Sequence, residues 1–151
     1  MVLWRIANQK YALDTSCEGA KIHGGRWNSP GRAVFYAGCS IEIAALEKYV
    51  HLNGITPASL NLELVRIEVP DDVPKSQVSK TDLPKGWNDF PSNVVSQQFG
   101  DKWLKKCDEL VLIVPSVIIP EACNALINHN HVDYKKIKLS IEREFQFDPR
   151  M

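Results

Sequence analysis

The chain has 151 residues and is poor in the features that most readily assign a function. It holds no apolar run approaching the roughly 20 residues a membrane-spanning helix needs. Its first residues lack the charged-then-apolar pattern of a signal peptide. A cytoplasmic protein with no membrane partner is therefore expected. Net charge is also missing, since 18 Lys plus Arg face 18 Asp plus Glu. Without a field to steer it, direct binding to nucleic acid is not expected. The four cysteines, at 17, 39, 107 and 123, form no Cys-x-x-Cys pair and read as reduced thiols rather than a disulfide framework.

Several catalytic signatures are missing too. There is no Gly-x-Ser-x-Gly elbow, no P-loop and no Gly-x-Gly-x-x-Gly dinucleotide fingerprint. His129 and His131 form a His-x-His, while His23 and His51 stand alone, so no metal site is expected. No internal repeat or low-complexity stretch is present. The length suits one domain over residues 1–151, able to bury roughly two-thirds of its unfolded surface without a disulfide or metal staple.

What remains is a chain rich in short strands. Val2–Ile6 and Ala33–Ala37 read as strands, separated by a glycine-rich polar stretch that ends in the turn Asn28-Ser29-Pro30-Gly31. Ser40 can cap a helix from about Ile41 to Leu52, and Asn53-Gly54 supplies a left-handed stop. Leu60–Val69 alternates but switches phase at Leu64-Val65, which predicts either a bulge or a strand buried on both faces. Residues 70–92 carry four of the nine prolines and read as a long irregular excursion. Asn93–Lys106 reads as a helix, and Leu110–Val114 as a buried strand resumed at Val117–Ile119. Alternation from Ile137 to Phe147 predicts a half-exposed antiparallel strand. Strands outnumber helices and do not alternate with them, so the class is α+β.

Three places could carry chemistry. In Gly24-Gly25-Arg26-Trp27-Asn28 two glycines permit close backbone approach, and the arginine offers a planar fork of donors for phosphate or carboxylate. The same segment could equally be a surface loop with a solvated arginine and a packed tryptophan. Glu47 falls at the border of the apolar arc of its helix, so helical periodicity does not by itself single it out. Ser116, between apolar residues in Val114-Pro115-Ser116-Val117, must find a hydrogen-bond partner if buried.

Taken in order, these segments resemble the RES domain. The match begins at Trp4-Arg5-Ile6, passes through Gly19-Ala20, Gly24-Gly25-Arg26-Trp27-Asn28 and Tyr36, and continues in Ala44-Ala45-Leu46-Glu47 toward His51. It then runs through Gly100-Asp101-Lys102-Trp103-Leu104 and Val114-Pro115-Ser116 to Asn124-Ala125-Leu126-Ile127-Asn128. Prolines common in the family are replaced by His129 and Val132. The resemblance implies a fold like that of ADP-ribosyltransferases, with mixed or antiparallel sheets and a few helices. It implies a toxin that breaks the nicotinamide–ribose bond of NAD, as a glycohydrolase or phosphorylase, or alternatively transfers ADP-ribose to protein. An inactive NAD-binding module is a further alternative. NAD is then substrate, and no cofactor is expected. Arg26, Tyr36, Glu47 and Ser116 are the implied catalytic residues, with Arg26, Asn28, Tyr36 and Asn124 binding substrate. The implied partner is an antitoxin with a helix-turn-helix of the Xre type, and a homodimer is a further expectation.

Overall fold

In the computed structural model, which describes residues 1–92 and 94–151, the chain opens with strand β1 (Val2–Asn8) and a short helix α1 (Glu18–His23). Strand β2 (Val34–Gly38), helix α2 (Ile41–Val50) and strand β3 (Leu62–Glu68) follow. Then come β4 (Lys75–Gln77), α3 (Val94–Lys106), β5 (Val111–Pro115), β6 (Cys123–Asn128) and β7 (Lys138–Phe145). Among the described residues seven strands lie in one sheet, ordered β4-β5-β6-β2-β1-β3-β7. Within it β4–β5 is parallel and the other neighbours pair antiparallel, in keeping with an α+β chain. None of the helices is long and apolar enough to cross a membrane, among the described residues.

The sheet is nearly two sheets. β1 pairs with β3 over seven residues and β2 with β6 over five, yet β1 and β2 share only the pair Trp4↔Gly38. Beyond that pair the two central strands part. On one face the core runs unbroken across the seam, joining Leu3, Val65 and Ile67 to Phe35, Ala37, Ile113 and Ile127. On the opposite face it is split. One cluster holds Trp27, Val34, Trp87, Trp103 and Leu126 under α3 and the proline-rich excursion. The other holds Ile6, Leu62, Leu64 and Phe145, with Ile41 and Ala45 of α2 against them.

Local sequence explains the elements that frame the split. Ser40 is extended, and its hydroxyl accepts from the Ile43 amide, which starts α2. Asn53 and Gly54, at φ 49° and 83°, turn the chain away after it. β3 is buried on both faces, Leu62 and Leu64 facing one cluster and Val65 and Ile67 the other. Its register with β7 also slips, Leu64 pairing with Arg143 and Val65 with Ile141. The extra residue is Glu142, a bulge that inverts the later part of β7, so Leu139 and Phe145 join different clusters.

Several elements differ from the expectation. The strand does not resume at Val117–Ile119. It ends at Pro115, and residues 116–121 turn back toward β6, with the Ser116 amide bonded to the Ala122 carbonyl. The polar stretch before Gly24 contains α1, and the excursion contributes β4. The expected helix start at Asn93 lies outside the described residues, and α3 is described from Val94.

Helix α3 crosses the loop of Trp27 at Gly100, where a β-carbon would overlap the Trp27 carbonyl. Gly100→Ala should therefore lower stability by about 1–3 kcal/mol, against the helix propensity alanine normally adds. Gly19, also helical and with open space around it, gives the control. Urea denaturation of Gly19→Ala should show no loss.

Candidate active site

Where β1 and β2 part, a cavity of 880 Å³ opens. Arg5 and Ile6 of β1 and Phe35 and Tyr36 of β2 line it, next to the last pair that joins the strands. Helix α2 adds Glu47 and Lys48, the glycine-rich loop adds Gly25 and Arg26, and the excursion adds Phe90 and Pro91. Asn124 of β6 closes one wall.

Glu47 is held from behind. The Asn124 amide donates to its Oε1 at 2.5 Å, and the Ser116 hydroxyl donates to the same oxygen at 3.2 Å. Ser116 is wholly buried and also accepts from the Ile118 amide at 3.1 Å. Both side-chain bonds fall on Oε1, so Oε2 has no hydrogen-bond partner among the described residues. The carboxylate thus keeps one oxygen committed to the protein and one available to a ligand. Gly38 makes this possible, because a β-carbon there would strike Ile43 and the Ala44 amide and push α2 off the sheet.

The loop across from Glu47 is built around Asn28, which is also wholly buried. Its amide nitrogen donates to the carbonyls of Ala20 at 2.8 Å and Arg32 at 2.9 Å. Its carbonyl oxygen accepts from the Tyr36 hydroxyl at 2.6 Å. That hydroxyl in turn accepts from the Trp27 amide at 3.1 Å. Burial pushes the Tyr36 phenol well above its ordinary pKa, so it stays a neutral donor. Gly25 is required here, since a β-carbon would lie 2.7 Å from the Tyr36 oxygen. The effect is a rigid loop that projects the next side chain, Arg26.

Arg26 serves two surfaces. Its Nη1 donates to the carbonyls of Trp87 at 3.0 Å and Asp89 at 3.1 Å, which fastens the excursion to the cavity rim. Its Nε and Nη2 donate to nothing else among the described residues. Burial lowers its pKa from the ordinary arginine value, opposed by the nearby charges of Glu47 and Asp89. Two further cations were not singled out by sequence. Arg5 lies over the Phe35 ring at 4.8 Å and donates to the Asp14 carbonyl. Lys48 is depressed by burial and then by the neighbouring charge of Arg5. The available signal was an arginine at the inward parity of a strand, between Leu3 and Ala7.

The structure therefore brings Arg26, Tyr36, Glu47 and Asn124 to the cavity lining. Ser116 and Asn28 lie behind it, the first holding Glu47 and the second holding the loop. The cavity lining thus combines three cations, Arg5, Arg26 and Lys48, with the anchored carboxylate of Glu47 and the Tyr36 side chain. Such a site suits an anionic ligand with a reaction centre that becomes positive. No group of three or more His, Cys, Asp or Glu side chains could hold a metal, among the described residues.

A family model described as the RES domain matches residues 2–148. A Sphingobium sp. (strain YBL2) protein named Prs ADP-ribosylating toxin is 48% identical over 154 residues, covering 98% of this chain and 94% of its own length. Proteins named Toxin Res from Pseudomonas putida and Yersinia enterocolitica are 38% and 33% identical, each covering 100% of this chain and 99% of their own. In fold, the chain is similar to one in the crystal structure of the M. tuberculosis MbcT–MbcA toxin–antitoxin complex. The TM-score is 0.73 at 17% identity, over 99% of this chain and 85% of that one.

The Tyr36 hydroxyl joins the loop to β2, while its ring forms the cavity wall. Tyr36→Phe should keep the wall but leave the Trp27 amide and the Asn28 carbonyl oxygen unpaired. A loss of about 1–3 kcal/mol is expected in chemical denaturation. An unchanged midpoint would show that the hydroxyl does not hold the loop.

Proposed function

Because the chain belongs to the RES-domain family, we propose that it is a toxin of a toxin–antitoxin system that cleaves the nicotinamide–ribose bond of NAD. The observation that carries the chemistry is Glu47, fixed through Oε1 by Asn124 and Ser116 with Oε2 unengaged in the cavity.

In this reading the reaction asks for little acid catalysis. The nicotinamide nitrogen is positively charged in NAD and leaves neutral, so it needs no proton. Positive charge develops on the ribose, in an oxocarbenium-like transition state related to that of glycoside cleavage. A carboxylate fixed beforehand stabilises that charge without reorganising. Glu47 fills this role, with Ser116 and Asn124 as positioning residues. Arg26 binds the pyrophosphate through Nε and Nη2 while Nη1 keeps the rim in place, and Arg5 and Lys48 add positive charge. The Tyr36 ring packs against the nicotinamide or its ribose. Its phenol, spent on Asn28 and Trp27, takes no part in proton transfer.

A second reading uses the same pocket with a protein side chain as acceptor. The name of the Sphingobium relative, an ADP-ribosylating toxin at 48% identity, favours it. Labelled NAD incubated with the purified protein and a bacterial lysate separates the two. Label in free ADP-ribose species supports NAD consumption, and label on a protein band supports transfer. Binding of NAD without nicotinamide release would leave only a binding module. An active protein of this kind would exhaust its own cell, so we propose a neutralising antitoxin of the helix-turn-helix (Xre) type. The structural neighbour, solved as a toxin–antitoxin complex, supports an antitoxin as partner.

Two substitutions test the assignment. Glu47→Gln keeps an oxygen to accept from Asn124 and Ser116 but removes the charge. Nicotinamide release should fall by about a hundredfold or more while NAD affinity is kept. Full release by this variant would sink the electrostatic role. Arg26→Ala should weaken NAD binding by about 1.5–3 kcal/mol, measured by calorimetry, through the lost charge-assisted bonds.

A further inference from the structure

We propose that His51 is the general base that activates the acceptor of the ADP-ribosyl group. The inference rests on the NAD-cleaving reading and adds a residue to it. His51 closes α2 as its C-cap, four residues after Glu47 and on the same side of the helix, and both residues line the cavity. Its Nδ1 lies 2.7 Å from the backbone carbonyl of Glu47. A carbonyl oxygen only accepts, so Nδ1 carries the hydrogen of that bond. The neutral imidazole then has its lone pair on Nε2, which has no hydrogen-bond partner among the described residues. The ring is exposed, so an acceptor entering from solvent can reach it.

A histidine that caps a helix commonly bonds a carbonyl of the last turn, and that bond alone would be structural. Here the same bond sets the tautomer and leaves a basic nitrogen at the cavity that holds the anchored carboxylate.

The step balances without a further reagent. The bond between ribose C1′ and the nicotinamide nitrogen breaks, and its electron pair neutralises the nitrogen. The acceptor oxygen forms a bond to C1′ and gives its proton to Nε2 of His51, which later returns it to solvent. Glu47 stabilises the charge on the sugar, while His51 serves the incoming group. An acceptor that is already an anion needs no such base.

That last point supplies the test. Nicotinamide release from NAD is measured in phosphate-free buffer for the wild type, His51→Ala and His51→Asn, with and without sodium azide. Asparagine can still donate to the Glu47 carbonyl, but it offers no basic nitrogen. Both variants should bind NAD within about twofold of the wild type by calorimetry and release nicotinamide about a hundredfold more slowly. Azide should restore much of the release in the variants, leave the wild type little changed, and yield ADP-ribosyl azide by mass spectrometry. Variants as active as the wild type overturn the proposal, as does a loss of activity that azide does not recover. A wild-type protein that releases no nicotinamide with water, phosphate, azide or lysate as acceptor overturns the NAD reading instead.

Discussion

The single pair Trp4↔Gly38 is the constraint on which the rest of this structure depends. Adjacent strands in a sheet normally stay hydrogen-bonded along their length, because an unpaired buried backbone group is costly. Here the two central strands touch once and then separate. The sheet stays one body because the core on one face crosses the seam without a break. On the other face the separation leaves a space between two apolar clusters, and Glu47 and Tyr36 line the cavity there. The cavity is therefore a property of topology, not of a loop laid over a finished domain.

Gly38 couples that topology to the chemistry. It ends the strand, makes the only β1–β2 pair and lets α2 lie against the sheet. Glu47 is then carried on a helix whose start is fixed by Ser40, while its carboxylate is gripped by residues of β6 and of the turn after β5. The loop of Arg26 is set by an independent network through Asn28 and Tyr36. Anion and cation are thus positioned by separate supports, so neither charge depends on the other to stay in place before a ligand arrives.

Much of this was legible in the sequence, and the losses have identifiable causes. The cap at Ser40, the stop at Asn53-Gly54 and the double burial of β3 are local signals, and all three appear. The class and the family resemblance also stand. The phase switch at Leu64-Val65 predicts a bulge or double burial, and both occur there, but the extra residue is Glu142 of β7, which Ile141 and Phe145 conceal by continuing the alternation past Arg143. In β6, Asn124 and Asn128 are of a type common in turns, which conceals the strand in the sequence. They are tolerated there because Asn124 bonds Glu47 and Asn128 bonds the Leu104 carbonyl. Ser116 is implied as catalytic and Asn28 as substrate-binding, and the structure places both behind the cavity lining, one holding Glu47 and the other the loop.

The bulge has a consequence for how the molecule meets others of its kind. A sheet with two free edges invites further strands to add to it. One edge here is β4, only three residues long. The other is β7, where the row of backbone donors and acceptors changes phase at Glu142, followed by the charged Arg143 and Glu144. A straight incoming strand would find matching partners for only part of its length. The same irregularity that lets Leu139 and Phe145 face different cores therefore guards the long edge against open-ended polymerisation.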